Sequence, residues 1–126
     1  MTKPQAVLVF VLASTFAVKS EAQRNITTEV QNAGVHPFAV QQALKSDNFS
    51  KACAVTQELK STRLFLKSPR VAVLANRINP KTIRDLDKIS KDLAVISAYC
   101  QGRMTLAHAR NAANRMISKV IEEKKS

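Results

Sequence analysis

The chain has 126 residues, a formal net charge of +11, and only 2 Gly, 4 Pro and 2 Cys. These counts exclude collagen-like and low-complexity chains, which need far more Gly and Pro, and scaffolds that depend on many disulfides. Apolar residues make up 45% of the sequence, which is too many for a disordered chain. The composition therefore predicts one small, basic domain that folds.

The first 22 residues have the features of a secretory signal peptide. Lys3 provides a basic start, residues 7–18 form a short apolar run, and residues 20–22 place small side chains before a cleavage point. The run is too short for a transmembrane helix, which needs about 20 apolar residues. A buried first helix of an intracellular protein is the other alternative. We expect residues 1–22 to be removed and residues 23–126 to form a secreted, extracellular helical domain.

Export also bears on the two cysteines and on two Asn-x-Ser/Thr tripeptides. In an exported protein we expect Cys53 and Cys100 to form one disulfide, which the chain-entropy model values at about 4 kcal/mol. Free buried thiols and a reactive cysteine are the alternatives. The tripeptides that begin at Asn25 and Asn48 are candidate N-glycosylation sites. Asn48 is equally suited to capping a helix.

The mature segment begins with two short stretches of helical pattern. Residues 23–33 are mostly polar, and we expect this stretch to end at Gly34 because glycine commonly terminates helices. A second short helix is expected to begin at His36-Pro37, since proline suits the first helical position. No alternation typical of β-strands is present.

Longer helical patterns follow. Apolar side chains recur every three or four residues over residues 49–67, 69–78, 80–101 and 105–123. Asn79-Pro80 is a strong helix start and Gly102 a helix end. The connecting segments are short, so neighbouring helices should be antiparallel. The sequence predicts an all-α fold, a small antiparallel bundle of three long helices and one or two short ones.

The sequence contains no pattern typical of a catalytic, cofactor or metal site. His36 and His108 have no partner residues at a catalytic spacing, and no Cys-x-x-Cys or His-x-x-x-His spacing is present. Two glycines cannot form a glycine-rich phosphate loop. We therefore expect a protein that is not an enzyme and that needs no cofactor.

Positive charge is the clearest functional signal. Between Leu59 and Arg84 the chain has seven bases and no acid: Lys60, Arg63, Lys67, Arg70, Arg77, Lys81 and Arg84. In the predicted bundle these bases could collect at one end and bind a polyanion. A second acid-free stretch, residues 93–121, carries Arg103, Arg110, Arg115 and Lys119. A basic, soluble surface that binds nothing specific is the alternative.

These observations predict a secreted, non-enzymatic protein whose basic surface binds an extracellular receptor, a sulfated glycan or an acidic protein. Specific nucleic-acid binding is not expected, because one Tyr and five Phe provide no stacking platform. One alternative is a membrane-active or antimicrobial factor with weak contact to anionic membranes. Another is a carrier of a small apolar ligand in a cavity between helices. Leakage of anionic vesicles would identify the first alternative.

Overall fold

The structure, a computed structural model, describes residues 25–125, which form six α-helices and no strand. In chain order the helices are α1 (Ile26–Lys45), α2 (Phe49–Lys67), α3 (Pro69–Ile78), α4 (Pro80–Lys88), α5 (Ser90–Cys100) and α6 (Leu106–Lys125). The predicted all-α class is confirmed. The predicted signal peptide, residues 1–22, lies outside the described residues, so cleavage and secretion stay predictions.

The prediction of two short segments divided at Gly34 is wrong for α1. This helix is continuous over 20 residues and contains both Gly34 and Pro37. Proline lacks an amide donor and normally interrupts a helix. Buried side chains nevertheless recur on both sides of Pro37, among them Val30, Ala33 and Val40. This apolar face packs against α2, α3, α4 and α6, and such packing outweighs local helix signals.

The single helix predicted over residues 80–101 is divided at Ile89 into α4 and α5. Ser90 Oγ donates a hydrogen bond to the carbonyl of Asp87 at 3.0 Å, and a serine that bonds nearby backbone competes with regular helical bonding. Ile89 itself stays buried, so the apolar line continues across the break. The described residues thus contain three helices of 19 or 20 residues and three of 9 to 11, a different division from the predicted one.

Local signals at the helix ends are more reliable than those inside the helices. The bounds of α2 and α3 coincide with the predicted residues 49–67 and 69–78. The Asn48 and Asn79 side chains accept hydrogen bonds from backbone amides three residues later, at 3.3 and 3.1 Å. Gly102 has a φ of 78°, a conformation that suits glycine after a helix end.

The core lies where all six helices meet, and its largest fully buried apolar side chains are Leu44, Leu59, Leu66, Leu86, Ile89, Leu93, Ile96 and Met116. The predicted disulfide is confirmed: Cys53 of α2 and Cys100 of α5 are bonded, with their Cα atoms 5.8 Å apart. Because α5 also packs on α6, this helix is fixed on one side by a covalent bond and on the other by side-chain contacts.

Candidate functional site

The three predicted binding bases on α2 contact neighbouring helices. Lys60 Nζ donates to Ser97 Oγ of α5 at 3.0 Å. Lys67 Nζ donates to Asp87 Oδ2 of α4 at 2.9 Å, and Arg63 Nη2 lies 3.8 Å from the other oxygen of that carboxylate. These bases therefore join α2 to α4 and α5, and a single exposed carboxylate offsets two of the three charges.

On α4, Lys81 is also engaged within the fold. Its Nζ donates to Asp85 Oδ2 at 2.5 Å and to the Val120 carbonyl of α6 at 3.4 Å. Asp85 is buried, so the positive charge of Lys81 is matched by a carboxylate held beside it. Arg84 is exposed on the same helix.

The bases of α3 are placed differently. Arg70 and Arg77 are exposed, and neither forms an ion pair or a side-chain hydrogen bond with another described residue. Their spacing along the helix places both on the same side as Val73 and Leu74, which are 58% and 47% exposed. We call these four side chains the α3 face. The helix carries no acidic residue, and its opposite side packs on α1 and α2.

The second acid-free stretch is not free of acids in three dimensions. Arg115 Nε and Lys119 Nζ of α6 donate to the two oxygens of Asp92 on α5, at 3.2 and 2.8 Å. The Asp92 side chain is only 4% exposed. Arg110 Nη2 donates to Asp47, which lies in the turn between α1 and α2, at 2.5 Å. Carboxylates distant in sequence therefore neutralise much of the α6 charge.

Both candidate glycosylation residues cap helices. Asn25 Oδ1 accepts a hydrogen bond from the Thr28 amide at 3.0 Å, and Asn48 caps α2 as described above. Both residues are exposed. Capping uses the side-chain oxygen of each asparagine. The side-chain nitrogen, which is the atom that an N-linked glycan would modify, takes no part in the cap. The caps are compatible with glycosylation, which stays a prediction.

The histidines lie in local, structural surroundings. His36 is half-buried on α1, and its Nδ1 has no hydrogen-bond partner. Burial lowers the pKa of His36 below its usual 6.5, against the opposing attraction of Glu58 and Glu29. His108 Nδ1 and Thr105 Oγ1 are hydrogen-bonded at 2.6 Å at the start of α6. The described part of the chain has no group of three or more His, Cys, Asp or Glu that could hold a metal ion.

A groove between α2 and α5 was not identified from the sequence. Its volume is about 330 Å³, which lies near the lower limit for small-molecule pockets. Its walls include Lys60, Arg63 and Leu64 of α2, Leu93 and Ser97 of α5, and Arg103 of the turn after α5. Lys60, Arg63 and Leu64 share one helix side by their spacing. The two cysteines imply that α5 lies beside α2, but they do not show which side chains of the two helices face each other, so this spacing does not reveal a groove.

No helix within residues 25–125 is long and apolar enough to cross a membrane. Comparison of the chain with protein-family models, with curated proteins and with solved structures found no match. The function is therefore inferred from the surfaces of this chain itself.

Proposed function

We propose that this chain is a secreted, non-enzymatic helical protein whose α3 face binds an acidic surface of an extracellular protein. The observation that carries the proposal is the pair of exposed arginines, Arg70 and Arg77, which have no partner among the described residues. The disulfide between Cys53 and Cys100 is consistent with an extracellular location.

The composition of the α3 face favours a protein over a sulfated glycan. A glycan chain is held mainly through its charges, whereas the two arginines here lie beside exposed Val73 and Leu74. Arginine and apolar side chains together are typical of protein interfaces, in which a buried apolar centre is surrounded by polar groups. The α3 face therefore offers an acidic partner both ion pairs and apolar contact.

An anionic membrane fits the α3 face less well than an acidic protein does. Helices that lie on membranes bury a wide apolar side in the bilayer. α3 has only 10 residues, and its Val71 and Ala75 are already buried in the protein core. Too little apolar surface remains for insertion into lipid.

Absence of catalysis is part of the proposal. Both cysteines are oxidised, so neither supplies a thiolate nucleophile. The His108 bond to Thr105 spans three residues within one exposed helical turn, which is the geometry of a helix cap.

The test is saturable binding of the labelled, oxidised protein to a panel of animal cell lines, measured by flow cytometry. Charge reversal in the double variant R70E/R77E should weaken binding about tenfold or more, because two charge-assisted contacts are lost. The control K51E/K91E changes net charge equally at two exposed lysines outside α3 and should bind like the wild type. The variant V73S/L74S should also lose binding.

Two treatments of the cells and one binding measurement on vesicles distinguish the classes of partner. Trypsin treatment of the cells should abolish binding, whereas enzymatic removal of sulfated glycans should leave it intact. If glycan removal abolishes binding and V73S/L74S binds like the wild type, the partner is a sulfated glycan instead. Equal binding to protein-free anionic vesicles would identify a membrane. If R70E/R77E binds as well as the wild type, or if no line shows saturable binding, the proposed role of the α3 face is wrong.

A further inference from the structure

The groove between α2 and α5 has an unusual distribution of charge. Lys60, Arg63 and Arg103 line it, and no described residue of its lining is acidic. Gln101 holds the Arg103 guanidinium in place, because its Oε1 accepts hydrogen bonds from Arg103 Nε at 3.0 Å and from Nη2 at 2.6 Å. Three cations therefore surround one small cavity, and they favour an anionic occupant.

The two cations on the α2 side of the groove have donors without acceptors. Arg63 Nε is shielded from solvent and has no hydrogen-bond partner. The Asp87 carboxylate is 3.8 Å from Arg63 Nη2 and accepts its closer bond from Lys67 at 2.9 Å. Lys60 makes one bond, to Ser97, although an ammonium group has three donors. The other two Lys60 donors are therefore available to an anion in the groove, which would lie beside the positive charge of Arg63.

Apolar side chains form one part of the remaining lining, Leu64, Leu93 and Ala94, and uncharged polar side chains form the other, Ser90, Ser97 and Gln101. Leu93 is buried at its base, while Leu64 is 70% exposed at its edge. Ala94, also in the lining, has a small side chain that leaves space beside Leu93. A ligand that fits this arrangement has a charged head and a short apolar tail, because the cations cover only part of the lining.

Both walls of the groove are fixed in place. The bond between Cys53 and Cys100 joins α2 to α5, and the bond from Lys60 to Ser97 joins the same helices within the groove. A cavity between elements held in this way is preformed, so a ligand need not provide the free energy to open it.

We propose that the groove between α2 and α5 binds a single-chain carboxylate amphiphile, a medium-chain fatty acid. The carboxylate is placed by Lys60 and Arg63, and the alkyl chain lies on Leu64, Leu93 and Ala94. This site is separate from the α3 face and does not depend on the partner proposed there.

The test is isothermal titration calorimetry of the oxidised protein with decanoate near neutral pH. We expect saturable binding of one decanoate per chain. The double variant K60Q/R63Q should weaken this binding about tenfold or more, since it removes two charge-assisted contacts. The control K51Q/K91Q, with the same loss of charge, should bind decanoate like the wild type. Decanol, which has the chain length but no charge, should also bind about tenfold more weakly or worse.

A second variant tests the cavity without altering charge. A94W places a large side chain in the groove and should abolish decanoate binding while circular dichroism shows unchanged helix content. R70E/R77E should bind decanoate normally, which separates this proposal from that for the α3 face. The proposal is overturned if decanoate does not bind saturably, if K51Q/K91Q weakens it as much as K60Q/R63Q, if decanol binds equally well, or if folded A94W binds like the wild type.

Discussion

The basic side chains of α3 and α6 look alike in the sequence and differ in the structure. On α6, Arg115 and Lys119 donate to the buried carboxylate of Asp92. On α3, Arg70 and Arg77 have no partner within residues 25–121. Both sets of bases lie in stretches without acids, residues 59–84 and 93–121, so the difference arises from the carboxylates that packing brings to each helix.

This contrast separates bases that support the fold from bases that are available for binding. A carboxylate inside the protein needs a partner, because an unpaired buried charge is very costly. Asp92, whose side chain is 4% exposed, therefore depends on the bases of α6. An exposed arginine gains little from pairing at the surface, so Arg70 and Arg77 can remain unpaired without loss of stability. Net charge alone does not distinguish the two cases.

The largest expected effect on stability comes from removing the disulfide between Cys53 and Cys100, which joins α5 to α2, on the side of α5 away from α6. In C53S/C100S, only side-chain contacts such as those between Asp92 and α6 would hold this helix. The bond closes a long loop, since its cysteines are 47 positions apart, and its loss should lower the free energy of unfolding by about 4 kcal/mol. Urea unfolding followed by circular dichroism measures this change. Unchanged stability would show that contacts with α6 suffice to hold α5.

A smaller effect is expected from D92A, which removes the acceptor shared by Arg115 and Lys119. We expect a loss of about 2–3 kcal/mol in the free energy of unfolding, because two charge-assisted hydrogen bonds disappear. The loss stays below that of a fully buried pair, since both bases are partly exposed and can turn toward water. Urea unfolding again provides the measurement.

Asp87 supplies the matched control for D92A. It also contacts two bases, Arg63 and Lys67, but its side chain is 51% exposed. D87A should therefore cost less than about 1 kcal/mol. Equal losses in D92A and D87A would contradict the view that burial decides which ion pairs support the fold.

Much of the helical fold was predictable because the signals were local. Asn48, Asn79 and Gly102 each act on backbone groups within a few residues, and the helix ends at these positions are as predicted. Pro37 is also a local signal, but there the apolar face of α1 outweighs it. The stabilisation from that face comes from packing against four other helices, and a local sequence pattern carries no information about such packing.

The candidate sites were less predictable, because they depend on pairs of distant residues. The seven bases were visible in the sequence, and Lys81 is four residues from Asp85 on one helix, but the sequence did not show that Asp87 would lie beside Lys67, 20 positions away. The groove required the pairing of α2 with α5. The two cysteines implied that pairing, whereas the opposing positions of Lys60 and Ser97 emerged only from the packed helices.

His36 is a third kind of basic group, with neither a partner for its Nδ1 nor full access to water. Burial lowers its pKa below the usual value of 6.5, although Glu58 and Glu29 partly oppose the shift. The unfolded chain therefore binds a proton at a higher pH than the folded protein does. As the pH falls through about 6.5, protonation of the unfolded state favours unfolding, so His36 makes the protein less stable in mild acid.

The last and smallest effect is this pH dependence, measured by urea unfolding at about pH 7.5 and about pH 5.5. The wild type should lose stability between these conditions, and H36Q, which cannot titrate at this position, should lose less. H36Q retains every other titratable group of the chain, including the exposed His108, so the difference between the two proteins reports on position 36. An equal loss in both proteins would mean that His36 is protonated as easily when folded as when unfolded. Such a result would contradict the view that burial makes His36 different from the exposed bases of α3.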